Sequence, residues 1–531
     1  MKGPMTDGLV KVAEDSARRG FFLISGTALA TLIMAIASIL IGRFLGPELY
    51  GQYTLALVVP QLLFLLTDLG INQGIIKFVA SFRAERESDR ATKIIQYGIL
   101  FRVFLGTVIF AANYALADLF AAFINRPNIG PYVQIASVSI IFQVIFTTAN
   151  SAFVGLDKTE YNALTTNIQA TVKTVLSVAL VLFGFSVTGA IIGHVGGYVI
   201  ASIVGAGILF LKLLKPSRDG GKDDFIQNLK TLTIYGMPLY ISILLIGFLP
   251  LYQNLILAFF TTDINVGNFK AATNFIALIS ILSISITTAL LPAFSKLNSS
   301  TTEKIKAFFK LATKYTCLLI VPTTTLIMIF SEEIVQIIYG STYQSASLFL
   351  SINCTLYFLV AIGYLTLTSL FNGLSETRLT LKMTIINFLI FIISAPVLAK
   401  NYSVLGVIIT SLISNTIATL YAVRMAKNRF KVEFDTHSIM KIYLISAISS
   451  IPSLILLQFT SLPGLFNIIT GGFMYLFIYA TLTPLTKIIS NVELQTARRA
   501  IEKIRLLSFI AKPLLNYQQK ILRISINKEA S

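Results

Sequence analysis

Runs of about 20 apolar residues recur more than ten times along this chain, from Phe21 to Leu485. Each is long enough to cross roughly 30 Å of hydrocarbon as a helix. A backbone placed repeatedly in lipid has to close its own hydrogen bonds, so the expected fold class is an all-α polytopic membrane protein. Composition agrees: 55% of residues are hydrophobic and 12% are charged. The mean hydropathy is +0.78, and a soluble chain of this size needs far more polar surface. The first run, about Phe21 to Ile41, exceeds a signal-peptide core and lacks a small-residue cleavage site, so it reads as a retained helix.

Helices are expected at about 21–42, 51–76, 94–117, 132–153, 162–184, 188–211, 231–258, 265–292, 308–330, 345–371, 383–399, 403–424, 441–460 and 464–485, about fourteen spans. Charge supports that alternation. Counting helices puts all but seven of the 42 Lys and Arg residues in even-numbered connections and the termini. That is the positive-inside pattern, which places both termini in the cytoplasm and the chain in the cell membrane. The formal net charge of +18 therefore reports topology and attraction to anionic lipids, and nucleic acid is not an expected partner.

The seven exceptions carry the functional signal. Arg43, Arg126, Lys270 and Lys400 fall in short connections on the opposite side; Lys77 and Arg102 fall in the inner part of helices, and Lys173 near the middle of one. A charge at mid-membrane costs roughly 2.5–3.5 kcal/mol by the gentler scales. A negative group or a water-filled cavity has to compensate it. A cationic interior with few buried acids points to transport of an anionic substrate.

The longest internal loop, with Pro216, Gly220 and Gly221, reads as a linker at 212–230. Segment 1–20 is read as cytoplasmic, 21–211 as a first lobe, 231–424 as a second and 441–485 as two added spans. The tail 486–531 alternates Ile488, Ile489, Val492, Ile501 and Ile504 with Arg498, Arg499, Lys503 and Arg505. That pattern suits a basic amphipathic helix on the inner membrane surface.

The two sides of the linker repeat each other. Phe153-Val154-Gly155-Leu156 matches Phe371-Asn372-Gly373-Leu374 at an offset of 218. Gly51-Gln52-Tyr53 matches Gly267-Asn268-Phe269 at 216, and Gly189-Ala190-Ile191-Ile192 matches Gly406-Val407-Ile408-Ile409 at 217. Six helices, an even number, separate the copies, so they share one orientation in the membrane. That is a parallel repeat with the substrate path expected between the lobes.

Polar groups that could line such a path are Arg43, Asp68, Arg102, Lys173 and His194 in the first copy, and Asn254, Lys270 and Asn387 in the second. Lys173 is the strongest cavity cation, with an ion pair or a snorkelling side chain as the alternative. Asp68 either couples an ion or pairs with Arg102 or Lys77. His194, in a glycine-rich stretch, reads as a packed neutral ring or a cavity group. No metal spacing, cofactor motif or enzyme constellation is present. The longest outer connection, about Asp118 to Pro131, is too small for a glycan-building active site. Cys317 and Cys354 sit in apolar runs and read as packing residues.

Ile41-Gly42-Arg43-Phe44-Leu45-Gly46-Pro47-Glu48-Leu49-Tyr50-Gly51-Gln52-Tyr53 closely resembles the first outer loop of the polysaccharide-biosynthesis flippases, which include the Wzx-type exporters of lipid-linked sugars. Thr67-Asp68-Leu69-Gly70, Gly267 to Ala272 and Leu291-Pro292-Ala293-Phe294-Ser295-Lys296 extend the likeness. The resemblance covers about residues 20 to 485. It implies the multidrug/oligosaccharidyl-lipid/polysaccharide exporter fold, with two six-helix lobes in a V, two extra helices and alternating access. It implies a polyprenyl-phosphate or pyrophosphate oligosaccharide as cargo, with glycosyltransferases of the same pathway as further partners. It also implies a cationic cavity, for which Lys173, Arg102, Arg43 and Lys270 are the candidates, with Asp68, His194, Asn254 and Asn387 as polar lining or coupling groups. Related transporters include cation-coupled drug antiporters and lipid II flippases. Gln253 and Asn254 stand where many relatives carry a helix-7 acid.

Overall fold

Every regular element in the computed structural model is helical, and no strand occurs among the described residues. The structure describes residues 4–214, 225–297, 301–459, 463–491, 493–495, 498, 512–513 and 515–522. In chain order the helices are α1 (Pro4–Ala56), α2 (Val58–Leu65), α3 (Ile71–Ala84), α4 (Ser88–Phe123), α5 (Gly130–Gly155), α6 (Thr159–Leu180), α7 (Ser186–Gly207) and α8 (Phe225–Phe260). They continue with α9 (Asp263–Ser295), α10 (Thr302–Ile329), α11 (Ser331–Tyr339), α12 (Ala346–Cys354), α13 (Thr366–Gly373), α14 (Thr377–Phe430), α15 (Thr436–Phe459) and α16 (Gly464–Leu485).

Ten stretches are long and apolar enough to cross a membrane, or eleven if the bent pair 346–362 and 366–373 counts as one. The chain is a multi-pass membrane protein. A count of unbroken helices thus differs from the fourteen expected spans. Three of the ten, Ser25–Leu65, Thr159–Leu213 and Thr377–Phe430, run 41, 55 and 54 residues. At about 1.5 Å per residue each exceeds one bilayer crossing. Non-helical residues interrupt them: Gly46 (φ 75°), Gly184 (φ 89°) and Ser403 (φ 54°).

Two expected helices are not continuous. The span read at 51–76 breaks between α2 and α3, where Leu69 and Gly70 take φ of 46° and 83°. The span read at 345–371 breaks at Gly363 (φ 86°) and bends by 48°. Neither break contains proline, so apolar pattern alone does not reveal it.

The chain forms two compact units. Unit 1 contains residues 1–270 and 395–407; unit 2 contains 271–394 and 408–531. Compactness divides the chain at Lys270 because α8 packs on α3 of unit 1. There, Gly70 meets the Gly236 backbone, and a Cβ on either would overlap the other's main chain. The core of unit 1 gathers Ile71, Ile75, Ile95, Phe153 and Leu209; that of unit 2 gathers Phe294, Phe309, Leu370 and Phe371.

Backbone irregularities recur at the sequence-repeat offsets. Asp157 and Ser375 take φ of 58° and 60°, and Ser186 and Ser403 take 52° and 54°. Gly155 packs on the Ile75 carbonyl in unit 1, and Gly373 packs on the Leu291 carbonyl in unit 2. Each glycine lets two helices touch backbone to backbone.

Part of the tail lies outside the described residues, including 499–511 with Arg499, Ile501, Lys503, Ile504 and Arg505. Part of the described tail packs on protein. Ile488 and Ile489, expected on the lipid face, are buried in unit 2. Gln518 donates to the Ala480 carbonyl and Tyr517 bonds Thr481 of α16. The Ser490 Oγ accepts from the Glu493 amide while the Glu493 carboxylate accepts from the Ser490 amide, a reciprocal helix start. That carboxylate also accepts from Lys314 Nζ at 2.8 Å. Burial alone would raise the Glu493 carboxyl, but Lys314, the Ser490 amide and Tyr315 outweigh it and hold it at about 2. A depressed carboxyl contributes stability above its ordinary value, near 4.3, and loses it as pH falls toward 2. Limited proteolysis of the tail is therefore expected to accelerate between pH 4.5 and about 2.5 in the wild type, measured with an acid-active protease. In Glu493→Gln the tail should be cleaved quickly at every pH; an unchanged pH profile there would remove the latch.

Candidate functional site

The break in the second apolar run is held by a buried arginine. Arg102 on α4 is 0% exposed. Its Nε donates to the Thr67 carbonyl at 3.2 Å, and its Nη1 donates to Asn72 Oδ1 at 2.7 Å, Thr147 Oγ1 at 3.1 Å and Thr148 Oγ1 at 2.6 Å. Asp68 lies 3.5 Å from its Nε. The same Asp68 accepts from the Asn72 amide in the first turn of α3. The cation thus caps the carbonyl end of α2 and the carboxylate caps the amide end of α3, each matching the helix dipole. Asp68 is paired with Arg102, one of the two sequence readings. Arg102 itself differs from expectation: its donors are turned onto protein groups, which leaves no face for cargo in this conformation. Lys77 lies over the Tyr235 ring at 3.8 Å instead of reaching Asp68.

A second arginine repeats the device. Arg126 binds the Asp263 carboxylate at the start of α9 and the Ala258 and Thr261 carbonyls at the end of α8. Their side chains are only 13% and 18% exposed. Sequence reading located Arg126 in a loop but missed Asp263. The signal available was the repeat, since Asp263 stands 216 residues after Pro47. The structure uses that equivalence: a Cβ on Gly51 would overlap the Asp263 carbonyl, and one on Gly267 would overlap the Pro47 carbonyl.

The remaining cations gather on α6 and α9. Lys173 is half-buried, with its Cβ against Gly197 of α7. The charge whose field reaches Lys173 belongs to Lys270, and the field of Lys173 reaches His194. His194 is 3% exposed, its ring 5.3 Å from Tyr198, and its Nδ1 is buried without a hydrogen-bond partner. Two amines and an imidazole on α6, α9 and α7 thus lie within one another's electrostatic reach. Like charges so placed favour an anion nearby. Arg43 is exposed near the kink at Gly46, and Asn254 is half-buried on α8. Asn387 belongs to unit 2. Among the described residues no group of three or more His, Cys, Asp or Glu could hold a metal ion.

The sequence profile described as polysaccharide biosynthesis protein matches residues 16–298, just over half of the chain. The chain belongs to that family. This polysaccharide biosynthesis protein is 22% identical over 425 residues to the probable low-salt glycan biosynthesis flippase Agl15 of Haloferax volcanii, covering 73% of this chain and 88% of the relative. It is 22% identical over 411 residues to the lipopolysaccharide biosynthesis protein WzxC of Escherichia coli, covering 74% and 78%. Its fold is similar to that of the lipid II flippase MurJ in an inward closed conformation, with a TM-score of 0.70 at 15% identity over 87% of this chain and 99% of that one. An inward-facing multidrug resistance transporter of the same superfamily gives 0.64 at 18% identity, over 77% and 98%. The fold is therefore that of the multidrug/oligosaccharidyl-lipid/polysaccharide exporter superfamily.

Proposed function

We propose that this protein is a flippase moving a polyprenyl-phosphate or pyrophosphate oligosaccharide from the inner to the outer leaflet of the cell membrane. The observation that carries this reading is the Lys173, Lys270 and His194 cluster. A phosphate headgroup cannot enter hydrocarbon without a replacement for its hydration. Fixed cations within the spans supply one, and the polyprenyl tail stays in lipid. Similarity to a probable glycan biosynthesis flippase and to a lipopolysaccharide biosynthesis protein supports the reading.

The reading counts each long, interrupted helix as two crossings, with both termini cytoplasmic and the loop cations against anionic lipid. Lobes 21–211 and 231–424 then expose the cluster alternately to each side. Glycosyltransferases of the pathway deliver the cargo. Lys173 and Lys270 hold phosphate, His194 adds a ring N–H donor, and Arg43 meets cargo at the outer end. Arg102 and Asp68 act by position, holding the break that shapes α2 and α3. Since Asp68 is committed to Arg102, it is a poor centre for binding a cationic drug.

The test is a proteoliposome assay with a fluorescent polyprenyl-pyrophosphate disaccharide. Lys173→Gln should slow flipping roughly 10- to 100-fold, the worth of one charge-assisted hydrogen bond, and Lys173→Arg should retain most activity. Wild-type vesicles that leave the probe unflipped but expel a cationic dye on a proton gradient would overturn the proposal.

A further inference from the structure

A cavity of about 340 Å³ lies within unit 2, lined by Thr287, Thr288, Tyr364, Thr368, Ser369 and Asn372 among others. No charged side chain lines it. Its position is explained by the repeat. At the offset of 216, Thr288 stands where unit 1 has Asn72; at 218, Thr366 stands where unit 1 has Thr148. In unit 1 both positions bind the Arg102 guanidinium. In unit 2 the following helix, α10, carries no Lys or Arg from 315 to 329. The corresponding space is therefore open, and the hydroxyl of Thr366, outside the lining but next to the lining residue Leu365 in sequence, is buried without a partner.

The backbone also opens here. Gly363, Tyr364 and Leu365 form the break between the short helix Thr355–Ile362 and α13. Non-helical backbone at membrane depth is tolerated where it is buried or lines a cavity, and transporters place substrate sites at such discontinuities. The polar groups offered are neutral. The Asn372 Oδ1 already accepts from Thr380, which leaves its amide nitrogen as a donor. Thr288, Thr368 and Tyr364 add hydroxyls. Such a wall discriminates against a cation for lack of acids and against phosphate for lack of bases. Its chemistry fits vicinal hydroxyls, with an aromatic edge at Tyr364.

We propose that this cavity is a sugar subsite, receiving uncharged hydroxyls of the oligosaccharide. The inference rests on the flippase reading for its cargo, and the two fail separately in the following experiment. Thr368→Val, Thr288→Val and Asn372→Leu are compared with the wild type on two probes, polyprenyl pyrophosphate bearing a disaccharide and polyprenyl pyrophosphate alone. Each substitution removes about one neutral hydrogen bond, so flipping of the sugar-bearing probe should fall roughly 2- to 10-fold, with the sugar-free probe unchanged. In parallel, a lipid-free disaccharide carrying a photoreactive diazirine is irradiated with the full chain in nanodiscs. The peptides labelled should include 287–288 or 364–372. Labelling there without any wild-type flipping would keep the subsite and remove the flippase reading. Equal losses on both probes, or labelling that avoids these peptides, would overturn the subsite.

Discussion

Arg102→Met is expected to lower the stability of the folded protein by about 3–5 kcal/mol, the usual consequence of removing one partner from a buried ion pair. The loss has two sources. Asp68 is left beside spanning helices without its counter-ion, and the Thr67 carbonyl, Asn72 and Thr148 lose a donor each. Asp68→Asn should cost less, because the guanidinium keeps four oxygen acceptors. The double substitution should fall short of the sum, since it leaves no lone charge. Unfolding in mixed detergent micelles measures all three. Arg102→Met with wild-type stability, or effects that add, would show that the cation does not hold the α2–α3 break. Arg102→Lys separates charge from shape. An ammonium cannot reproduce the planar fork that reaches the Thr67 carbonyl and the α5 hydroxyls together, so only part of the stability should return.

Which features could be read from sequence follows from the range over which each is determined. The membrane-spanning character is legible because hydrocarbon thickness imposes a local requirement on every run. Lys173 stands out for the same reason, as a charge where the local rule forbids one. Asp68 and Arg102 were legible as a pair of opposite charges in neighbouring helices. The geometry between them was not, because it depends on Thr147 and Thr148, some 45 residues further along the chain. The breaks at Gly70 and Gly363 escaped because a single glycine inside an apolar run carries no signal of its positive φ. The neutral cavity at Thr368 escaped for a different reason. Threonines in apolar helices ordinarily bond their own backbone, as Thr287 does to Ser283, and only the comparison with the filled site in unit 1 singles out those that do not.

Gly51→Ala and Gly267→Ala are each expected to slow flipping by roughly 100-fold, the upper end of the cost of overpacking, at 1.4 kcal/mol per tenfold. The added methyl meets a main-chain carbonyl, Asp263 for the first and Pro47 for the second, and neither can rotate aside as a side chain would. The positions are related by the 216-residue offset, so the two contacts are one contact seen twice, and the effects should be similar in size. They should also be far from multiplicative when combined, because the first methyl already parts the backbones that the second would meet. Alanine at Gly207 or Gly472, where a Cβ meets nothing within 4 Å, should leave flipping unchanged and controls for the substitution itself. On the topology proposed above the contact lies at the outer end, beside Arg126 and Asp263. Its opening should therefore expose Val266, which is fully buried next to Gly267. A Val266→Cys reporter should react faster with a membrane-impermeant thiol reagent in the Gly51→Ala background. Wild-type flipping together with unchanged labelling would mean that the paired glycines merely pack the loops, and that closure of the outer end lies elsewhere.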